Sequence, residues 1–128
     1  MTRTKISVVI PSLNEEKLIS RTLSQFDEDL KSKFNVEVII SDGGSTDDTM
    51  KIAEGKADKV TIHNNHIKQN IAQGRNAGAK LAEGDVLVFL NADTFLQNKI
   101  KFFETIMQFS SANHYSALAF PVKIEKEL

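Results

Sequence analysis

The chain has 128 residues, of which 41% are hydrophobic and 26% are charged, and its net charge is -1. These values are typical of one globular domain with a core of its own. The balanced charge argues against a nucleic-acid-binding surface, and the absence of cysteine excludes disulfides, cysteine zinc sites and thiol nucleophiles. No apolar run is long enough for a transmembrane segment or a signal peptide, so we expect a cytoplasmic protein.

Short apolar runs alternate along the chain with segments in which apolar residues recur every three or four positions. The runs predict strands and the periodic segments predict helices. The predicted strands cover residues 6–10, 36–40, 59–64, 85–91 and 117–125. The predicted helices cover residues 15–34, 45–54, 70–84 and 98–110. Pro11 is expected to end the first strand, and Pro121 places the last one at a sheet edge or a bulge.

The helix boundaries carry capping signals. Ser12 or Asn14 lies where the first helix should begin, and Ser45 precedes the second, with Asp48 at the capping-box position three residues later. Gly84 follows the third helix as a C′ glycine. The first helix is predicted to be continuous because one apolar face runs through it, formed by Ile19, Leu23, Phe26, Leu30 and Phe34.

The alternation of strands and helices predicts the fold class. The strand at Val86–Leu90 is apolar throughout, which is typical of a parallel strand buried on both faces. We therefore predict a single α/β domain over residues 1–128, a three-layer sandwich in which helices cover both faces of a mainly parallel sheet. Ligands bind beyond the carboxyl ends of the strands in such sheets, so those ends are the places to search for a site.

Polar and small residues follow three of the predicted strands, at Pro11–Glu15, at Asp42–Ser45 and at Asn91–Asp93. The first strand is not followed by the glycine pattern of a dinucleotide site, and the chain has no P-loop. A phosphate ligand that faces carboxylates needs a cation between them, and Asp93 is placed to hold one. Mg²⁺ and Mn²⁺ prefer such oxygen ligands and share them with substrate phosphates.

Three segments, SVVIPSLNEE, VEVIISDGGSTDDT and GRNAGAKLAEGDVLVFLNADT, resemble in order and spacing the nucleotide-sugar-binding part of family 2 glycosyltransferases. The resemblance covers about residues 6–124. It implies the GT-A fold, a Rossmann-like nucleotide-diphospho-sugar transferase fold, and transfer of a glycosyl group from a nucleotide sugar to an acceptor that the sequence does not identify.

The resemblance also implies roles for individual residues. Pro11 and the residues after it, Leu13 among them, line the nucleotide pocket, and Glu15 supports their loop. Asp42 matches the carboxylate that accepts a hydrogen bond from the base, and Arg75 matches the cation near the base and the diphosphate. The segment Asn91-Ala92-Asp93 matches the D-x-D motif: its last carboxylate binds the metal, and its first residue touches the ribose or a metal-bound water.

The chemistry of these residues agrees with the implied roles. A carboxylate at Asp42 can accept from the imino group of uracil or of guanine, which favours a UDP- or GDP-linked donor without choosing between them. Arg75 and a divalent cation, Mn²⁺ or Mg²⁺, would neutralise the leaving diphosphate. Asn91 stands where the motif usually has an acid, so one negative charge is lost and we expect weaker metal binding.

The general base of the family is expected beyond the D-x-D strand, and no residue here matches it. The chain is therefore expected to be the donor-binding part of a glycosyltransferase, either truncated or a small protein that needs a partner. The alternative is a nucleotide-sugar-binding or regulatory module without catalysis of its own. A nucleotidyltransferase and a receiver-type domain are less favoured because their loops after the first strand are missing. The last strand, as an edge, could pair with a second copy in a homodimer, and the acceptor could bring the protein to a membrane surface.

Local explanations exist for the same residues. Asp42 and the glycines after it could form a turn for backbone reasons alone. Asn91-Ala92-Asp93 could be a turn that begins a helix. The small residues around Arg75 could serve close packing of a helix on the sheet.

Overall fold

Parallel pairing joins the strands of the computed structural model, which describes residues 3–64 and 67–111. The strands within these residues are β1 (Ile6–Ser12), β2 (Val36–Asp42), β3 (Lys59–Ile62) and β4 (Val86–Phe89). The helices are α1 (Ile19–Ser24), α2 (Glu28–Phe34), α3 (Thr49–Glu54), α4 (Ile71–Leu81) and α5 (Lys99–Ser111). The strand predicted over residues 117–125, and the homodimer edge that it would provide, lie outside the described residues.

The sheet has the order β3-β2-β1-β4 and carries helices on both faces. Alternate residues of β1, among them Val8 and Ile10, belong to the main core, which also holds apolar residues of α1, α2 and α5. Val9 points to the opposite face, against α4, where Gly78 allows a close approach. This arrangement confirms the predicted α/β sandwich with a parallel sheet.

The predicted continuous helix over residues 15–34 is wrong, because the chain forms two helices there. Asp27 interrupts the segment and caps α2, accepting a hydrogen bond from the backbone N–H of Leu30 at 2.9 Å. Leu23, Phe26 and Leu30 nevertheless pack in one core. The apolar periodicity therefore continues across the break between α1 and α2. For this reason the sequence pattern did not indicate that the helix is interrupted.

The predicted beginning of that helix is also wrong. Strand β1 continues through Pro11, which pairs with Ser41, and ends at Ser12, whose partner is Asp42. A proline is tolerated there because it lies one residue before the end of the strand and removes a single ladder donor. Asn14 follows with a φ of 52°, a left-handed conformation that cannot begin an α-helix.

Two further capping predictions are wrong. Helix α3 begins at Thr49 rather than after Ser45, and its cap residue Asp48 makes no side-chain capping bond. Helix α4 ends at Leu81 with an extended cap residue, so Gly84 is not its C′ residue. A Cβ on Gly84 would lie 2.7 Å from the backbone nitrogen of Ser7, so this glycine serves the close approach of the connection to β1.

Strand β4 is not buried on both faces as predicted. Its residues alternate between half-buried and exposed, and Leu87 and Phe89 are each 42% exposed. The reason is that α4 packs on β1, β2 and β3, which leaves the α4 side of β4 uncovered within the described residues.

Replacing Gly78 by Ala tests the close packing of α4 on the sheet. The added Cβ would lie 2.4 Å from Cγ1 of Val9 and 3.3 Å from Cβ of Ser41. Overpacking costs about 1–3 kcal/mol, and better helix propensity offsets about 1 kcal/mol, so we expect a net loss in the free energy of unfolding. Chemical denaturation measures it. The control is Gly55→Ala, where the nearest atom lies 3.8 Å away, and a Gly78→Ala variant as stable as that control would contradict the packing.

Candidate functional site

Three strand ends meet at the carboxyl edge of the sheet, as the sequence predicted. Pro11 and Ser12 end β1 beside Ser41 and Asp42 of β2. On the other side of β1, the backbone N–H of Leu90 donates to the carbonyl of Val9 at 3.1 Å. The segment Asn91-Ala92-Asp93 therefore leaves the sheet next to the end of β1, and the predicted site residues of three separate segments share one edge.

Asp42 is the buried centre of this edge, with only 1% of its surface exposed. Its Oδ1 accepts from the hydroxyls of Ser12 at 3.0 Å and Ser45 at 2.6 Å. Its Oδ2 accepts from the backbone N–H groups of Gly44 at 3.0 Å and Ser45 at 2.7 Å. A carboxylate has about four acceptor positions, so the protein itself fills all of them. The local explanation for Asp42, a turn built on its side chain, thus holds in this structure.

Two loops beyond the strand ends are tied together. We call residues 13–18, after β1, the first loop and residues 43–48, after β2, the second loop. Backbone N–H groups of each loop donate to side chains of the other loop. One N–H group of the first loop donates instead to a side chain of α3, the helix that follows the second loop. These bonds, 2.8–3.3 Å long, connect Asn14 with Ser45 and Thr46, Glu15 with Thr49, and Glu16 with Asp47 and Asp48. The left-handed Asn14 belongs to this network, which explains its backbone conformation. Leu13 begins the first loop and is 43% exposed.

Acidic side chains lie near one another where the first loop faces the end of β4. The pKa of Glu15 is raised, first by burial and then by the negative charges of Asp93 and Asp47. Glu15 is thus close enough to Asp93 and to Asp47 to be repelled by each of them. Within residues 3–64 and 67–111, however, no three acidic or histidine side chains are close enough to hold a metal by themselves.

The segment after β4 forms a turn whose backbone accepts hydrogen bonds from side chains in and directly after α1. The backbone N–H of Thr94 donates to the carbonyl of Asn91 at 3.0 Å. Asn91 and Asp93 are exposed, whereas Ala92 is buried. Two buried residues that sequence reasoning missed, Thr22 and Gln25, donate hydrogen bonds to carbonyls of this turn. Their only signal in the sequence is their position directly before Leu23 and Phe26, two apolar residues of the predicted helix face.

Arg75 lies on α4, which packs on the face of the sheet opposite the main core. It is exposed, and its guanidinium carbon lies 6.0 Å from the centre of the Phe89 ring on β4. Gly74, the residue before it, is buried, and a Cβ there would lie 3.6 Å from Cβ of Pro11. The small residues around Arg75 therefore do serve close packing, which brings the beginning of α4 against the end of β1.

The site is an open edge of the sheet. A recess of about 440 Å³ lies beside it and is lined by Asn14, Glu15, Glu16, Lys17, Leu18 and Asp47. Its lining does not include Asp42, Arg75 or Asp93, so it is adjacent to the strand ends and does not itself form the predicted nucleotide pocket. None of the helices in the described part of the chain has the length and hydropathy of a membrane span.

Comparison with known proteins matches the chain with one family. The model described as glycosyl transferase family 2 matches residues 7–127. A validoxylamine A glucosyltransferase from Streptomyces hygroscopicus subsp. limoneus is 35% identical over 89 residues, which are 67% of this chain and 20% of that protein. The chain thus spans about a fifth of the length of this relative.

Solved structures agree in fold. Glucosyl-3-phosphoglycerate synthase from Mycobacterium tuberculosis, in complex with Mn²⁺, uridine diphosphate and glucosyl-3-phosphoglycerate, matches with a TM-score of 0.52 and 30% identity over 70% of this chain and 33% of its own. The mannosyltransferase PcManGT from Pyrobaculum calidifontis, in complex with GDP-Man and Mn²⁺, matches with a TM-score of 0.66 and 22% identity over 83% of this chain and 32% of its own. These neighbours confirm the predicted GT-A fold.

Asp42→Ala should destabilise the chain strongly. It removes four hydrogen bonds and leaves buried donors without an acceptor, so we expect the free energy of unfolding to fall by about 3 kcal/mol or more. Chemical denaturation measures the change. The matched control is Asp48→Ala, because Asp48 is exposed and makes no side-chain capping bond, and its effect should stay within about 0.5 kcal/mol. Equal stability of the two variants would contradict the central place of Asp42.

Asp93→Asn should lower the pKa of Glu15. The substitution removes one of the negative charges that disfavour the ionised form of Glu15, while burial keeps part of the shift. NMR titration of the Glu15 side-chain carboxyl measures the pKa. Glu54→Gln, an exposed change on α3, should leave it unaltered. An unchanged pKa in Asp93→Asn would show that the two carboxylates are not close.

Proposed function

The chain belongs to glycosyl transferase family 2, and we propose that it is the domain that binds the nucleoside diphosphate sugar from which a glycosyl group is transferred. The observation that carries this proposal is the convergence of three strand ends at one edge of the sheet, where Pro11, Asp42 and Asp93 come together from distant parts of the chain. Parallel α/β sheets bind ligands at that edge.

We propose that Asp93 binds a divalent cation together with the diphosphate. Three observations support this role: its carboxylate is exposed at the end of β4, its charge acts on Glu15, and a relative of 30% identity carries Mn²⁺ with uridine diphosphate. One protein carboxylate suits Mg²⁺ or Mn²⁺ when phosphate oxygens and water supply the other ligands. The cation would supply positive charge against the departing diphosphate. Asn91 can accept from a ribose hydroxyl or a metal-bound water through its carbonyl.

The base and the diphosphate would meet two further groups. We propose that Asp42 contributes to recognition of uracil or guanine. Because its acceptor positions are filled, a base N–H can reach it only if the hydroxyl of Ser12 or Ser45 turns away. Arg75, above Phe89 at the uncovered side of β4, would donate charge-assisted hydrogen bonds to the diphosphate. Pro11 and Leu13 would form the apolar side of the nucleotide pocket, next to the loop that Glu15 supports.

A second candidate is a nucleotide-sugar-binding module that takes no part in the chemistry. The residue roles proposed above all concern the donor, and such a module would use them as well. The two candidates share the donor site and differ in whether the protein deprotonates an acceptor hydroxyl.

Calorimetric titration of uridine and guanosine diphosphates, each with and without Mn²⁺, tests the donor site. We expect one of them to bind, and binding to weaken when Mn²⁺ is chelated. Asp93→Ala should raise the Kd measured with Mn²⁺ by roughly tenfold or more, which corresponds to about 1.4 kcal/mol. Glu104→Ala, which removes an exposed carboxylate of α5, is the control and should not change the Kd. Absence of binding by both nucleotides would contradict the proposal.

Asn91→Asp should strengthen cation binding. It restores a negative charge two residues from Asp93, and an added charge near a cation at the protein surface is worth about 1 kcal/mol, or roughly fivefold in Kd. Titration of Mn²⁺ in the presence of saturating nucleotide, followed by the electron paramagnetic resonance of free Mn²⁺, measures the change. An unaltered Mn²⁺ affinity would remove Asn91 from the cation site.

A further inference from the structure

The turn that carries Asp93 is fastened to α1 by side chains that lie beneath it. The hydroxyl of Thr22 donates to the carbonyl of Ala92. The side-chain amide of Gln25, which also donates to the carbonyl of Thr22 in α1, makes two bonds to the turn: Nε2 donates to the carbonyl of Thr94 at 2.9 Å, and Oε1 accepts from the backbone N–H of Leu96 at 2.6 Å. All of the bonds to the turn end on the main chain of residues 92–96, so they fix the path of the backbone on both sides of Asp93.

The two anchoring residues, Thr22 and Gln25, are buried, and a buried polar side chain destabilises the fold unless it is hydrogen-bonded. Thr22 is 3% exposed and Gln25 is 5% exposed, and between them Leu23 belongs to the apolar core. They are three residues apart, so they lie on one face of the helix. Ala92 is itself 4% exposed, and its carbonyl therefore depends on Thr22 rather than on water.

Gln25 also ties the turn to the helix that follows it. Its backbone carbonyl accepts from Nζ of Lys99, the first residue of α5, at 3.0 Å. The same Nζ lies 3.1 Å from Oδ2 of Asp27, the cap residue of α2. The break between α1 and α2 therefore holds the later part of the segment from β4 to α5, whereas Thr22, within α1, holds Ala92. Asp93 stands in the middle of that segment with its side chain exposed.

We propose that Thr22 and Gln25 are positioning residues, which set the orientation of Asp93 toward the cation and the diphosphate. The inference rests on the proposed function and adds residues that neither touch the ligand nor belong to the strand ends. A carboxylate that shares a cation with a diphosphate must be held within about 0.5 Å of its productive place, and buried hydrogen bonds behind a ligand residue supply such support. Loss of an outer hydrogen bond of this kind weakens metal binding by roughly 10- to 100-fold.

Thr22→Val and Thr22→Ser separate positioning from packing. Valine keeps the shape of Thr22 and removes the hydroxyl, whereas serine keeps the hydroxyl. With uridine or guanosine diphosphate, whichever the wild-type chain binds, we expect Thr22→Val to raise the Kd for Mn²⁺ roughly tenfold, with nucleotide affinity in chelator unchanged. Thr22→Ser should restore the Mn²⁺ affinity. Gln25→Glu, which removes the donor to the carbonyls of Thr94 and Thr22 and keeps an acceptor for Leu96, should also weaken Mn²⁺ binding.

The control for a general loss of stability is Val36→Ala, a core change at the amino end of β2, far from the turn. It should lower the Tm and leave Mn²⁺ affinity intact. A second readout needs no ligand: the NMR order parameters of the Asp93 and Thr94 amides should fall in Thr22→Val and not in Val36→Ala.

The outcomes are distinguishable. If Thr22→Val lowers the Tm but keeps wild-type Mn²⁺ affinity and rigid Asp93 and Thr94 amides, Thr22 serves packing alone and the inference is overturned. If the wild-type chain binds neither nucleotide with Mn²⁺, the proposed function fails, and the inference fails with it. If only the Mn²⁺-dependent part of binding is lost, and serine restores it, the inference is supported.

Discussion

A buried carboxylate must be compensated by hydrogen bonds, and Asp42 accepts them from groups at two strand ends. Ser12 reaches it from the end of β1, and Gly44 and Ser45 reach it from the loop after β2. The hydroxyl of Ser45 that donates to Asp42 also accepts from the backbone N–H of Asn14. The relative position of the two loops, and with it the shape of the edge that we propose binds the nucleotide, therefore follows from one buried charge.

The polar groups near this edge of the sheet fall into two classes, those that hold the backbone in place and those that are exposed to a ligand. Asp42, Thr22 and Gln25 are buried and fully engaged with the protein, whereas Asn91 and Asp93 are exposed. Glu15 lies between these classes, since burial and its acidic neighbours both act on its pKa. Such a division is expected of a site that must hold a cation and a diphosphate from an open surface: the groups that face the ligand are few, and rigidity comes from those behind them.

The sheet and the meeting of its strand ends could largely be predicted from the sequence, and the reasons are local. Apolar runs mark the strands, and parallel strands bring their ends together, so that Pro11, Asp42 and Asp93 could be assigned to one edge. What could not be predicted depends on contacts between segments distant in the chain. The sequence around Ser45 is typical of a helix cap, but in the folded chain its hydroxyl donates to Asp42. Asn14 takes its left-handed conformation within a hydrogen-bond network that includes Thr46. Thr22 and Gln25 have partners some 70 residues away in the chain.

The most direct test of the account is the position of Mn²⁺ itself, read from paramagnetic broadening of backbone amide signals in the presence of uridine or guanosine diphosphate. The account predicts that broadening is strongest for residues 91–94, extends to Glu15 and the second loop, and is strongly reduced in Asp93→Ala at the same limiting concentration of Mn²⁺. Broadening centred away from these strand ends, or unchanged by Asp93→Ala, would contradict the assignment of this edge of the sheet as the donor site.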